Sequence, residues 1–260
     1  MSAETVPADR SPAGPLFAVL GAGSWGTALS MQLFRSGSRA VLWDIDRQHI
    51  ESMNSSGRNE KFLPEFELPE GLVLEANLET AVRQADEILI VVPSHAFVTV
   101  LKQIAPWLNA GQGIAWACKG LEPGTGQFLH EPAQSLFGDS RPLAVVTGPS
   151  FAREVAANLP TAITVAGTEP EYCAHIARAL HGENFRAYTS DDIVGAELGG
   201  SVKNVLAVAT GISDGMGLGD NARAALVTRG LVEMMRLGRA LGARDQTLTG
   251  LTGMGDLVLT

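Results

Sequence analysis

The sequence has little with which to staple itself. It holds two cysteines, Cys118 and Cys173, in 260 residues. Two thiols cannot build a disulfide framework or a cysteine zinc site, which points to a reducing cytosol and a cytoplasmic setting. Positive charge is also short: 19 Lys and Arg stand against 28 Asp and Glu, a formal net charge of −9. Sequence-independent binding of nucleic acid or of an anionic membrane needs clustered cations, so neither partner is expected. No segment approaches the ~18 uninterrupted apolar residues of a membrane span. Residues 1–15 contain three prolines, charges of both signs and no apolar run, which reads as a flexible tail without a signal peptide. The five histidines, His49, His95, His130, His175 and His181, are scattered, and no metal site is expected.

What is present is glycine (29 residues), small side chains and 45% hydrophobic residues, a globular composition. Apolar runs recur at Leu16–Leu20, Ala40–Trp43, Ile88–Val92, Ile114–Cys118, Leu143–Val146 and Ala162–Ala166. Helical patterns lie between several of them, at 27–35, 79–84, 96–104, 127–137 and 171–180. Near-continuous apolar strands alternating with helices predict a doubly wound parallel sheet covered on both faces. Beyond about Asp191 the pattern becomes long helices, Ala196–Gly211 and Ala222–Leu241, joined by a glycine-rich loop. The expected organisation is therefore a tail (1–15), a Rossmann-type α/β domain (16–195) and the start of a mainly α-helical domain (196–260). The apolar stretch Leu257-Val258-Leu259 before Thr260 suggests that this second domain is interrupted.

The first run leads directly into Gly21-x-Gly23-x-x-Gly26 and then a helix. In that context each glycine has a job: Gly21 allows a tight turn, Gly23 lets backbone approach a pyrophosphate, and Gly26 lets helix and strand pack closely. The helix N-terminus adds free N–H groups and partial positive charge. Asp44 ends the second run 18 residues after Gly26, where an acidic residue would bond a ribose 2′-OH. It leans toward NAD, while Arg47 could reach a 2′-phosphate and Asp46 complicates the local field, so NAD or NADP stays open.

Ligands of open parallel sheets bind beyond the carboxyl ends of the strands. There lie Pro93-Ser94-His95, Lys119-Gly120 and Gly148-Pro149-Ser150-Phe151-Ala152. Lys119 is the cation directly following a strand; it either neutralises a substrate group or is a solvated lysine. His95 reads mainly as a loop hydrogen-bonding residue. Lys203 lies in the most apolar helix of the chain, where it either snorkels to solvent or has a lowered pKa suited to general base work.

Seven motifs in register extend these readings: Gly21-Ala-Gly-Ser-Trp-Gly-Thr-Ala-Leu, Val91-Val-Pro-Ser-His, Cys118-Lys-Gly-Leu-Glu, Gly148-Pro-Ser-Phe-Ala-Arg-Glu, Glu197-Leu-Gly-Gly-Ser-Val-Lys-Asn-Val, Asp220-Asn-Ala-Arg-Ala-Ala-Leu and Gly253-Met-Gly-Asp-Leu. Together, from about Leu16 to Thr260, they resemble the bacterial-type NAD(P)-dependent glycerol-3-phosphate dehydrogenases. The resemblance implies reversible reduction of dihydroxyacetone phosphate to sn-glycerol 3-phosphate, which supplies glycerophospholipid synthesis; a homodimer is left open. It implies that Ser24, Trp25, Lys119 and Ala152 contact the cofactor together with the glycine turn and Asp44. It further implies that Lys119, Gly148, Ser150, Asn204 and Asp256 serve the substrate, and that Lys203 transfers the proton. The family's Ser-Arg-Asn segment, whose arginine binds the substrate phosphate, follows the Gly-Asp-Leu motif and is not reached, so weak dinucleotide binding at best and little turnover are expected of this chain. A 3-hydroxyacid or 6-phosphogluconate-type dehydrogenase is disfavoured by the Gly148–Ala152 loop and Trp25, and a non-catalytic dinucleotide sensor would not need Lys203.

Overall fold

The computed structural model describes residues 14–259. The first half runs β1 (Leu16–Leu20), α1 (Ser24–Arg35), β2 (Arg39–Trp43), α2 (Arg47–Ser56), the hairpin β3 (Arg58–Asn59) and β4 (Leu63–Glu67), β5 (Val73–Glu75) and α3 (Leu78–Gln84). Next come β6 (Glu87–Ile90), α4 (Ser94–Ile104), β7 (Ile114–Trp116), α5 (His130–Phe137), β8 (Leu143–Thr147), α6 (Ala152–Ala156), β9 (Thr161–Gly167), α7 (Pro170–Leu180) and β10 (Phe185–Ser190). The remainder is helical: α8 (Ile193–Gly215), α9 (Asp220–Leu241), α10 (Asp245–Thr249), a π-helical turn (Leu251–Gly255) and α11 (Asp256–Leu259).

Eight strands form one sheet in the order β10-β9-β8-β7-β6-β1-β2-β5. Because β1 pairs with both β2 and β6, the chain reverses its direction of winding there, and a crevice opens beyond the strand ends. Side chains alternate between two cores. Phe17, Val19, Ala40, Leu42 and Leu89 face the layer containing α1 and α7. Ala18, Leu20, Val41, Trp43, Ile88 and Ile90 face the layer with α3 and α4. Burial on both faces is why these strands are apolar throughout rather than alternating. Each fully buried large side chain contributes about 1.5–3 kcal/mol.

The sheet is a Rossmann-like one, mostly parallel, with two differences from the expectation. β9 runs antiparallel to β8, which the sequence does not disclose, since a strand buried on both faces reads as the same apolar run in either direction. β5, β10 and the β3–β4 hairpin add strands that apolar runs do not announce: β10 (Phe-Arg-Ala-Tyr-Thr-Ser) and β5 lie at the sheet edges, where polar side chains are tolerated. Asp46 caps α2, a helix absent from the expectation, by accepting from His49 N at 3.2 Å.

Most of the expected tail, residues 1–13, lies outside the described residues. Gly14 and Pro15 belong to the fold, since Gly14 N donates to Gly37 O and Arg39 N to Pro15 O, each at 3.0 Å. The glycine-rich loop is shorter than expected because α8 continues through Gly215. Asp192 starts α8 by accepting from Gly195 N at 2.8 Å, and its other oxygen accepts from Arg244 N at 2.9 Å. Both cysteines are buried free thiols. Among the described residues no helix is long and apolar enough to cross a membrane.

Candidate active site

A cleft of about 430 Å³ lies beyond the carboxyl ends of β1, β6, β7 and β8, lined by Gly23–Gly26, Val91–Pro93, Ala117–Lys119 and Ser150–Ala152. The three glycines divide their work as the turn requires. Gly21 has φ +120°, and a Cβ there would lie 2.6 Å from Val91 O. At Gly26 a Cβ would meet Gly21 O at 1.9 Å, so the first turn of α1 sits directly on the end of β1. At Gly23 a Cβ would meet nothing within 4 Å. The backbone of Gly23 is thus bare toward the cleft, and no side chain caps the N-terminus of α1. An exposed helix N-terminus with an open glycine beside it fits the pyrophosphate of a dinucleotide. Ser24 and Trp25, partly buried in that first turn, line the same cleft.

The carbonyl of Ala22 is fixed by side chains from the α2–β3 segment. Asn59 Nδ2 donates to it at 2.9 Å and also reaches Thr27 Oγ1 at 2.8 Å. His49 Nε2 lies 3.2 Å from the same carbonyl. Asp44 takes the other side of the turn, its Oδ2 accepting from Ala22 N at 2.8 Å. Sequence reasoning finds Asp44 by spacing but not Asn59 or His49, because their target is a backbone carbonyl that only the turn's shape exposes.

The second half of the site is a carboxylate shared by two lysines. Asp256 Oδ1 lies 2.5 Å from Lys203 Nζ, and Asp256 Oδ2 lies 2.6 Å from Lys119 Nζ. Asp256 is 1% exposed and the Lys203 side chain 7%, whereas that of Lys119 retains 24%. Lys203 therefore does not snorkel: its ammonium is turned inward onto the carboxylate. Burial lowers the Lys119 pKa, against the attraction of Asp256 and with the repulsion of Lys203. With all three ionised the trio carries one positive charge, which suits an anionic substrate in a protein of net −9.

Glycines allow this convergence. A Cβ at Gly199 would sit 2.4 Å from Thr252 O, and one at Gly253 would sit 2.0 Å from Leu248 O. Only bare backbone lets α8 touch the π-helical turn that delivers Asp256. Gly148, at φ +140°, ends β8 and turns its carbonyl to Lys119 Nζ at 3.3 Å. Ser150 Oγ also donates to that carbonyl at 3.3 Å, and Ala152 opens α6 on the cleft wall.

Two expected residues stand apart. Asn204 follows Lys203 but is exposed, and among the described residues its side chain makes no hydrogen bond. One residue step turns a helix by about 100°, so Asn204 faces away from Asp256. His95 is exposed in the first turn of α4 rather than in a loop.

Glu197 carries the same signal as Lys203, a charge in the most apolar helix, but its partners are visible only in the fold. Its carboxylate accepts from Trp116 Nε1 at 3.1 Å and His130 N at 3.2 Å, and lies 2.5 Å from His130 Nδ1. Burial raises its pKa, opposed chiefly by the His130 contact. Through this group α8 is tied to the ends of β7 and α5.

The arrangement agrees with comparisons to known proteins. Residues 17–173 match the family model of the NAD-dependent glycerol-3-phosphate dehydrogenase N-terminus, and 192–260 match that of the C-terminus. The chain is 58% identical over 243 residues to glycerol-3-phosphate dehydrogenase (NAD(P)+) of Xanthomonas euvesicatoria, covering 94% of this chain and 71% of that protein. The same identity and coverage hold for the enzyme of Stenotrophomonas maltophilia. A crystal structure of glycerol-3-phosphate dehydrogenase from Coxiella burnetii superposes with a TM-score of 0.91 at 48% identity, over 95% of this chain and 75% of that one. With a glycine turn shaped for pyrophosphate, two lysines sharing the buried carboxylate of Asp256 and both family models matched in order, the chain belongs to the NAD-dependent glycerol-3-phosphate dehydrogenase family.

Proposed function

We propose that the chain reversibly reduces dihydroxyacetone phosphate to sn-glycerol 3-phosphate with NAD(P)H, and that Lys203 is its acid–base group. The observation that carries this reading is the Lys203–Asp256–Lys119 trio at the edge of the dinucleotide cleft. A nicotinamide held in this cleft would supply the hydride that the substrate's carbonyl carbon takes up. Lys203, as the ammonium, gives a proton to the carbonyl oxygen as negative charge develops there; in the reverse direction its free amine takes the hydroxyl proton. Lys119 and the trio's net charge stabilise the developing alkoxide and hold the substrate. Asp256 aims both ammoniums, and the Gly148–Ser150 loop closes the substrate side. Gly21, Gly23, Ser24, Trp25, Gly26, Asp44 and Ala152 hold the cofactor.

In this reading residues 16–195 form the cofactor domain and the chain from 196 contributes the proton-transfer helix. The supply of glycerophospholipid backbones would follow from the same reaction, and the two free thiols agree with a cytoplasmic setting. The test is oxidation of NADH and NADPH with dihydroxyacetone phosphate, comparing the native chain with Lys203→Ala. A turnover loss of about 10²–10⁴-fold is expected for removal of a general acid. Turnover unchanged by Lys203→Ala would overturn the assignment.

A further inference from the structure

We propose that Lys119 is a reversible covalent modification site, whose amine condenses with small phosphorylated aldehydes to form an imine. This chemistry goes beyond hydride transfer and uses no dinucleotide. Lys119 lines the cleft at the end of β7 and stays partly exposed there, whereas Lys203 and Asp256 are buried. Of the three, Lys119 is the one that an incoming molecule meets. Bare backbone of α8 runs along its stem, since a Cβ at Gly200 would lie 3.8 Å from Lys119 Cγ. Trp25 and Phe151 line the same cleft and offer apolar walls to the body of the aldehyde. The uncapped N-terminus of α1, also on this cleft, suits the phosphate.

An amine adds to a carbonyl only once it has given up its proton, and a neighbouring cation favours that loss. Asp256 is one carboxylate between two ammoniums, 2.6 Å from Lys119 Nζ and 2.5 Å from Lys203 Nζ. The trio therefore holds one positive charge that nothing within it offsets, and release of one proton makes it neutral. Burial lowers the Lys119 pKa, and repulsion by Lys203 adds to this against the attraction of Asp256. Lys203, the more deeply buried of the two, keeps its proton beside the same carboxylate.

The reaction balances with the residues present. The neutral Nζ of Lys119 attacks the aldehyde carbon and a C–N bond forms. The carbonyl oxygen takes a proton from the Lys203 ammonium, and the nitrogen returns one to Lys203, giving a carbinolamine. Lys203 then protonates the hydroxyl, which leaves as water while the nitrogen lone pair closes the C=N bond. The iminium proton goes back to Lys203. Amine and aldehyde have become imine and water, nothing is oxidised or reduced, and hydrolysis reverses the step.

The chain holds four lysines, Lys61, Lys102, Lys119 and Lys203, so the adduct can be assigned to one of them. The probe is pyridoxal 5′-phosphate, an aldehyde bearing a phosphate, added to the 260-residue chain, trapped with borohydride and mapped by peptide mass spectrometry. Lys119 should be labelled at least about tenfold faster than the exposed Lys61 and Lys102, because the cleft concentrates the anion. Pyridoxal, which lacks the phosphate, should lose most of that preference. Lys119→Arg keeps the charge but has no amine to deprotonate, and should lose the fast labelling. Labelling of Lys61 and Lys102 as fast as Lys119, an equal preference with pyridoxal, or fast labelling that survives Lys119→Arg would each overturn the proposal. The readout is the adduct itself, so an absence of turnover with dihydroxyacetone phosphate counts against the dehydrogenase reading alone.

Discussion

Lys203 and Asp256 are 53 positions apart, and their side chains meet at 2.5 Å in the buried seam between α8 and the π-helical turn. The same carboxylate also holds Lys119, so one acid compensates two ammoniums drawn from the two halves of the fold.

Replacing Asp256 should therefore cost stability as well as activity. Asp256→Asn keeps the shape but removes the only charge compensation that the trio contains. Breaking a buried ion pair by deleting one partner costs about 3–5 kcal/mol. The urea midpoint at pH 7 should fall accordingly; an unchanged midpoint would mean that the lysines are compensated from elsewhere.

The glycine turn separates stability from binding. Gly26→Ala would drive a Cβ into Gly21 O, at 1.9 Å, and should destabilise the fold by about 1–3 kcal/mol through overpacking. Gly23→Ala meets nothing within 4 Å, and its φ of −69° suits alanine. Its stability should change by no more than about 0.5 kcal/mol, while dinucleotide affinity drops because the methyl occupies the pyrophosphate approach. Thermal melts and titrations of the two variants should show these opposite profiles.

Glu197 satisfies two buried donors, Trp116 Nε1 and the His130 amide, while pairing with the His130 ring. Glu197→Ala leaves those donors without their acceptor, at about 1–3 kcal/mol for each. Glu197→Gln retains an acceptor and should recover a substantial part. Denaturant unfolding of the two variants checks the order; equal losses would show that the charge, not the accepting oxygen, ties α8 down.

Stability should also depend on pH through Glu87, the first residue of β6. Burial pushes its carboxyl up to about 7, from an ordinary 4.5. His175 Nε2 lies 3.1 Å from Glu87 Oε1 but is not aligned to hydrogen-bond it. A raised folded-state pKa means the native state holds the proton longer, so this contribution is full below pH ~4.5 and is lost as pH rises toward ~7. The full shift corresponds to about 3 kcal/mol. His175, whose pKa burial lowers, acts in the opposite sense, losing stability as pH falls through its unfolded value. Comparing the native chain with Glu87→Gln isolates the carboxyl. The variant should be more stable by about 2–3 kcal/mol at pH 8 and nearly equal at pH 4.5; a constant difference across that range would contradict it.

Much of this protein is legible in one dimension. Strands buried on both faces must be apolar throughout, so β1, β2, β6, β7, β8 and β9 stand out as runs. The glycine turn is legible because three backbone constraints fall within six residues, and Lys119 because it follows a strand. What stays hidden are groups whose meaning is a contact. Edge strands such as β10 look like loops, and the direction of β9 depends on its neighbour rather than its composition. Asn204 adjoins Lys203 in sequence but points elsewhere, since helical rotation outweighs adjacency. The alternation of strand and helix, the phosphate-binding turn and the lysines available for chemistry are written into the residue order, because local sterics and burial periodicity act within a few residues. The fold alone brings Asp256 onto both lysines and ties α8 to β7 and α5 through Glu197. Those pairings depend on distances of about 3 Å between groups that the chain separates by 53 to 137 positions.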